Sequence, residues 1–123
     1  MSTAGPINGR VSNWFTEYPP LRPPLPGNRD ADVCIVGAGY TGLWTAYYLK
    51  RADPSLRICV LESEVCGFGA SGRNGGWVCG AVAGFGDARS QAAIDDTVDE
   101  IGRVTSAEQI ACDYHKGGAV HVV

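Results

Sequence analysis

Apolar residues along this chain fall into two short blocks and one helical stripe, separated by turn chemistry. Val33-Cys34-Ile35-Val36 is an unbroken, β-branched run stopped by Gly37. A run of that length predicts a strand buried on both faces, as in a parallel sheet. Gly37-Ala38-Gly39-Tyr40-Thr41 predicts a turn, and Gly42 to about Arg51 a helix that Ala52-Asp53-Pro54 ends. Arg57-Ile58-Cys59-Val60-Leu61-Glu62 repeats the buried-strand pattern. The three pieces make a β–α–β unit with a right-handed crossover.

Further along, periodicity stops and then changes. Residues 67–86 carry no apolar period and predict loop. Asp87 can cap a helix on which Ile94, Val98 and Ile101 recur at four and three, so that they share one face. That helix is expected to reach about Gln109, with Asp95, Asp96, Asp99, Glu100 and Arg103 on its solvated side. Residues 112–123 read as a strand broken at Gly117-Gly118. The expectation is an α/β fold: a three-layer parallel sheet nucleus with an appended helix and strand.

Residues 1–30 form a leader. Six of the seven prolines lie there, which blocks helix and sheet hydrogen bonding. Trp14, Phe15 and Tyr18 are expected to pin it to the domain. Pro20-Leu21-Arg22-Pro23 matches a P-x-x-P partner ligand, a pattern short enough to arise by chance. The domain proper is expected over 31–123.

Composition narrows the function. Ten Lys and Arg against thirteen Asp and Glu leave a net charge of -3, which offers no electrostatic footprint for nucleic acid or an anionic membrane. No run of 18 apolar residues predicts a membrane span. Five cysteines, without a C-x-x-C pair or a His-Cys cluster, disfavour zinc and a disulfide scaffold. Free, mostly buried thiols in a reducing cytoplasm are the expectation. Glycine stands out: there are 17 in 123 residues, about twice the usual share of about 7%. Eight of them lie between Gly67 and Gly86.

The chemistry lies in two glycine clusters. The first is Gly37-x-Gly39-x-x-Gly42, between a predicted strand and a predicted helix, with Ala46 four residues on. Gly37 allows the tight turn, Gly39 lets backbone N–H groups approach a pyrophosphate, and Gly42 and Ala46 let the helix pack closely on the sheet. Ala38, Tyr40 and Thr41 complete the turn at the helix N-terminus, whose free N–H groups suit phosphate. Glu62 ends the second strand, twenty residues after Gly42, where a carboxylate can accept from a ribose diol. Ser63 and Glu64 follow it, and no arginine stands nearby for a 2′-phosphate, which disfavours NADP.

NAD and FAD share this fingerprint. The second cluster, Gly67-Phe68-Gly69-Ala70-Ser71-Gly72-Arg73-Asn74-Gly75-Gly76-Trp77, separates them. It sets close-approach backbone, a hydroxyl, a guanidinium and an amide just after the second strand, where a plain NAD domain needs no such loop. His115 and His121 have no acidic or nucleophilic partner at a recognisable spacing and read as surface or edge residues. Tyr40 and Trp44 also read as packing, Asn74 also as a turn residue with positive φ, and Trp77 as a candidate flavin wall.

From Asp32 to Gly39, at Leu61-Glu62 and from Gly67 to Trp77, the chain resembles the N-terminal part of the FAD-dependent amino acid oxidase superfamily, with Ala70 to Gly76 most similar to the γ-glutamylputrescine oxidase branch. The resemblance implies a Rossmann-type FAD-binding nucleus of the glutathione-reductase type. In it Gly37, Gly39 and Gly42 would hold the pyrophosphate and Glu62 the adenosine ribose. Ala70 and Ser71 match positions that contact the phosphate and ribityl chain, Arg73, Asn74, Gly75 and Gly76 match the stretch toward the flavin ring, and Gly69 is expected among the cofactor-binding residues. It implies hydride transfer from an amine or amino acid substrate to flavin. Some relatives carry a flavin-tethering His where Gly72 stands, so non-covalent FAD is expected. Relatives run to several hundred residues, so the resemblance also implies a nucleus truncated at its C-terminal end. On that reading the isolated chain is inactive, exposes an apolar sheet edge and is marginally stable. The rival readings are a non-catalytic remnant, an NAD-dependent dehydrogenase domain and a proline-rich interaction module.

Overall fold

The computed structural model describes residues 12, 14, 15, 19–80 and 87–118. These fall into two compact units, residues 1–75 and 76–123. The expectations for Tyr18, for the loop over 81–86 and for the closing strand with His121 lie outside the described residues.

The first unit is the β–α–β. Strand β1 (Val33–Val36) leads through helix α1 (Tyr40–Ala52) to strand β2 (Ile58–Leu61), and the strands pair in parallel, Val33 with Ile58 through Val36 with Leu61. Both strands are shorter than ten residues and lie within a residue of their sequence-based bounds. Helix α1 begins two residues before Gly42, because Gly39 takes the N-cap position in extended conformation. Pro54 stops it at the far end, where Lys50 Nζ donates to the carbonyls of Pro54 and Leu56 at 2.6 and 2.9 Å. At the foot of the strands Arg57 forms a two-pronged ion pair with Asp32, 2.8 and 3.1 Å, and its backbone N–H adds a third bond to the same carboxylate.

Side chains alternate along a strand, so each face of the sheet has its own fate. Val33 and Ile35 are half-buried, and Ile35 meets α1. Cys34 is exposed and Val36 is 85% exposed on the opposite face. The expectation of strands buried on both faces is corrected here: among the described residues the sheet has two strands and α1 covers one side of it. The same geometry corrects the buried thiols. Cys34, Cys66, Cys79 and Cys112 are exposed and Cys59 is half-buried. The three-layer nucleus is likewise two layers within this unit. On α1, Trp44, Tyr47 and Tyr48 pack their rings together at 5.3–5.8 Å.

The second unit is built on helix α2 (Ala88–Ala107). Asp87 caps it as expected, accepting from the Ser90 N–H at 2.8 Å and the Ser90 hydroxyl at 2.7 Å. Ile94, Val98 and Ile101 share the half-buried face that buries Val104, while Asp95, Asp96 and Arg103 are exposed. The helix ends at Ala107 rather than Gln109. Gln109 adopts φ +53, and the Ile110 N–H returns to the Thr105 carbonyl at 2.8 Å, a left-handed stop closed by backbone bonds.

The strand expected from Cys112 onward is not present over 112–118. Asp113 has φ +50 and Gly118 φ +80, which breaks extended geometry. The segment is held instead by side chains. The Tyr114 hydroxyl donates to the Val98 carbonyl at 2.8 Å, and its ring lies where a Cβ at Gly102 would sit, 2.6 Å away.

Candidate functional site

The site grows from the end of β1. Gly37 leaves the strand at φ +100, which an L side chain resists, and its N–H donates to the Leu61 carbonyl at 2.7 Å. Gly42 then passes so close to this turn that a Cβ on it would lie 2.1 Å from the Gly37 carbonyl oxygen. The turn therefore excludes any side chain at Gly42, the close helix–strand contact that the fingerprint requires. Ala38 is 1% exposed.

Glu62 reaches back to this turn. Its Oε2 accepts from the Ala38 N–H at 2.8 Å, and its Oε1 from the Glu64 N–H at 3.1 Å and the Ser63 hydroxyl at 3.3 Å. These donors, the Ala38 N–H first, hold the carboxyl below its ordinary value, so it is ionised at neutral pH. A cleft of about 380 Å³ opens here, lined by Val36, Gly37, Leu61, Glu62 and Ser63.

The second glycine cluster docks on the first. The Gly67 N–H donates to the Ala38 carbonyl at 2.9 Å. Gly67, at φ +76, repeats the role of Gly37: a Cβ at Gly72, five residues later, would lie 2.1 Å from its carbonyl oxygen. Position 72 thus has no room for a histidine or any other side chain. Between them Ala70–Gly72 form a single 3-10 turn. That turn delivers the Ser71 hydroxyl to the start of α1, where it accepts from the Tyr40 N–H at 2.9 Å. Gly39 itself supplies no side-chain cap, and a Cβ there would meet Ser71 Oγ at 2.9 Å.

The remaining expected residues divide. Asn74 donates from its amide to the Tyr40 hydroxyl at 2.8 Å and the Ser71 carbonyl at 2.7 Å. It does not take the positive φ of a turn residue, since among the described non-glycine residues only Gln109 and Asp113 do. Arg73 is spent within its own loop, donating to the Phe68 carbonyl at 2.9 Å with its guanidinium 5.1 Å from the Phe68 ring centre. Thr41 is exposed on the first turn of α1. Gly69 and Gly75 have open space where a Cβ would lie. Gly76 and Trp77 belong to the second unit, where Trp77 is 80% exposed. His115 is exposed. Trp14, expected only as a leader anchor, reaches the site directly: its Nε1–H donates to the Asn74 carbonyl at 2.8 Å. An indole in a proline-rich leader was the only signal for it. Among the described residues no group of three or more His, Cys, Asp or Glu could hold a metal ion.

A strand, a glycine turn and a helix N-terminus faced by a carboxylate and a hydroxyl define a dinucleotide-binding α/β nucleus. Residues 32–123 match the FAD dependent oxidoreductase family, and the chain belongs to it. Members of that family bind FAD on a Rossmann-like fold. The chain is 38% identical over 98 residues to gamma-glutamylputrescine oxidoreductase of Escherichia coli, covering 71% of this chain and 22% of that protein. It is 37% identical over 108 residues to the probable oxidoreductase OrdL of Haemophilus influenzae, covering 79% and 25%. A shorter match of 53 residues, 45% identical, is to thiamine thiazole synthase of Emericella nidulans, covering 43% and 14%. The chain thus spans about a quarter or less of the length of these relatives. No solved structure gives a significant match.

Proposed function

We propose that this chain is the nucleotide-binding portion of an FAD-dependent oxidoreductase that oxidises a small amine or amino acid. The observation that carries the reading is the convergence of the Glu62 carboxylate and the Ser71 hydroxyl on one glycine turn, from either side of the start of α1. The residues present suit a dinucleotide. The half-buried turn at Gly39 carries no side chain at the helix N-terminus, so a pyrophosphate can approach its backbone closely. Glu62, ionised and held by Ala38, stands beside the cleft in which an adenosine ribose would offer two hydroxyls.

In this reading Gly37, Ala38, Gly39, Tyr40, Thr41 and Gly42 cradle the pyrophosphate, Glu62 and Ser63 hold the adenosine end, and Gly69 to Gly75 line the path toward the flavin. FAD held there supplies the two-electron acceptor for oxidation of a carbon–nitrogen bond, whose imine product hydrolyses. The protein's own part is orientation. The helix N-terminus neutralises phosphate charge, and the close-packed glycines let backbone rather than side chains touch the cofactor. Non-covalent attachment fits the crowding at Gly72, which leaves no room for a tethering side chain. The amine class of substrate is carried over from the name of the Escherichia coli relative.

The test is flavin retention. The 123-residue chain is mixed with FAD, and free cofactor is removed. The visible flavin bands should remain with the protein and be lost in Gly39→Val. That variant obstructs the pyrophosphate, and the nearest atom its Cβ meets belongs to the movable Ser71 side chain. A folded chain that retains no flavin but binds NADH would overturn the reading.

A further inference from the structure

Among the described residues, the leader touches the second glycine loop through a polar contact at Trp14. Trp14 is 60% exposed, so its indole gains little from burial. Its Nε1–H nevertheless points at the Asn74 carbonyl, 60 residues away in sequence, at 2.8 Å. The Trp14 backbone N–H is in turn held by the Ser12 hydroxyl at 3.0 Å. Asn74 is the residue whose side chain ties the loop to α1, through the Tyr40 hydroxyl and the Ser71 carbonyl. It is therefore gripped on its backbone by the leader and on its side chain by the helix start. Ser71, bonded to both Asn74 and the Tyr40 N–H, closes the circuit.

We infer that Trp14 is a positioning residue for the second glycine loop, and that the leader thereby preorganises residues 70–74 for the cofactor. The inference rests on the FAD reading above and extends it to a residue outside the fingerprint. A short glycine-rich loop loses conformational freedom whenever it is fixed around a ligand. A loop already held at Asn74 loses less on binding, so affinity rises without any new contact to the cofactor. The indole N–H, rather than the ring, is the working group.

The test uses the whole 123-residue chain with Trp14→Phe, which keeps an aromatic ring and removes the donor. Because Trp14 is largely exposed, the variant should fold. Two quantities are read. One is amide hydrogen exchange without FAD at Gly72 and Arg73, whose N–H groups bond to Gly69 and Ala70 in the 3-10 turn. The other is the FAD dissociation constant by flavin titration. Loss of one hydrogen bond should speed exchange at those two amides and weaken FAD binding by about two- to tenfold each, with exchange in β1 and α1 unchanged. Tyr40→Phe, which removes the acceptor for Asn74, should give a similar loss. The double variant should lose less than the product of the two if the contacts form one circuit.

Unchanged exchange at Gly72 and Arg73 in Trp14→Phe overturns the inference, as does a uniform rise across the whole unit or full additivity with Tyr40→Phe. Faster exchange with unaltered FAD affinity overturns the cofactor role. A wild-type chain that binds no FAD removes that role together with the flavin reading, and exchange alone then decides whether Trp14 orders the loop.

Discussion

Ser71 caps a helix that begins 31 residues before it: its hydroxyl oxygen lies 2.9 Å from the Tyr40 N–H, at the end of α1 where Gly39 provides no side chain. On the proposed FAD reading, a side-chain cap at Gly39 would occupy the place of the pyrophosphate. Moving the cap onto a second loop satisfies an orphan N–H while keeping the turn bare. Ser71→Ala should therefore destabilise the first unit by about 1 kcal/mol, the usual cost of losing a cap. It should also weaken FAD binding. Chemical denaturation and flavin titration check both, and a variant with wild-type stability would show that Tyr40 finds water as good a partner.

The crowding at Gly42 leads to a larger effect. A methyl there must displace the Gly37 backbone, because its carbon would lie 2.1 Å from the Gly37 carbonyl oxygen and 3.3 Å from the Ile35 side chain. Gly42→Ala gains about 1 kcal/mol of helix propensity, which cannot offset overpacking against backbone of about 1–3 kcal/mol or more. A lowered urea midpoint is the expected result; a raised one would mean that the turn yields easily.

Glu62 makes stability depend on acidity. Its carboxyl titrates lower in the folded chain than its ordinary value of about 4.3. The charged form is bonded to the Ala38 and Glu64 N–H groups, so its contribution is complete above that value. It is lost as pH falls through the lower, folded value. Glu62→Gln should flatten this part of the pH–stability curve and weaken FAD binding about tenfold, the equivalent of one charge-assisted hydrogen bond. Melting temperatures measured from pH 6 down to pH 3 (roughly the carboxylate range) give the slope, and parallel curves for the two proteins would refute the assignment.

The Asp32–Arg57 pair works in a more acidic window. The Arg57 side chain, followed by its backbone N–H, pulls the Asp32 carboxyl down to about 2. Its folded value is depressed, so the pair contributes fully above about 3.9 and fades as pH falls toward about 2. Both groups face solvent, and salt should screen them. Asp32→Asn should remove a small, salt-sensitive part of the stability near neutral pH. An effect that salt does not touch would point to the hydrogen bonds rather than the charges.

Gln109 offers a test in the second unit. It holds φ +53 at the stop of α2, a conformation that costs an L residue about 1–2 kcal/mol and glycine little. Gln109→Gly should raise stability by up to about 1 kcal/mol, less what glycine loses in unfolded-state freedom. Calorimetry on the pair of proteins decides it, and a fall in melting temperature would mean that the Gln109 side chain has a stabilising contact.

Local patterns in the sequence determined the elements of this protein. Val33–Val36 and Ile58–Leu61 are unbroken apolar runs between turns, and Ile94, Val98 and Ile101 recur at helical spacing, so β1 and β2 follow from run length and α2 from side-chain period. The spacing of Gly37, Gly39 and Gly42 and the position of Glu62 determined the candidate site for the same reason, since the turn and the parallel strand leave few other arrangements. Tertiary structure decided the rest, through partners distant in the chain. Which face of β1 is covered depends on where α1 lies, and that exposed Cys34 and Val36. The run after Cys112 has strand composition over part of its length, yet Tyr114 docks on Gly102 and Asp113 turns the backbone, so pattern without a pairing edge made no strand over 112–118. Ser71 at Tyr40, Gly67 at Ala38 and Trp14 at Asn74 join positions 29 to 60 residues apart. Hydrogen bonds of that span carry no period in the sequence, and only the folded backbone brings their donors and acceptors together.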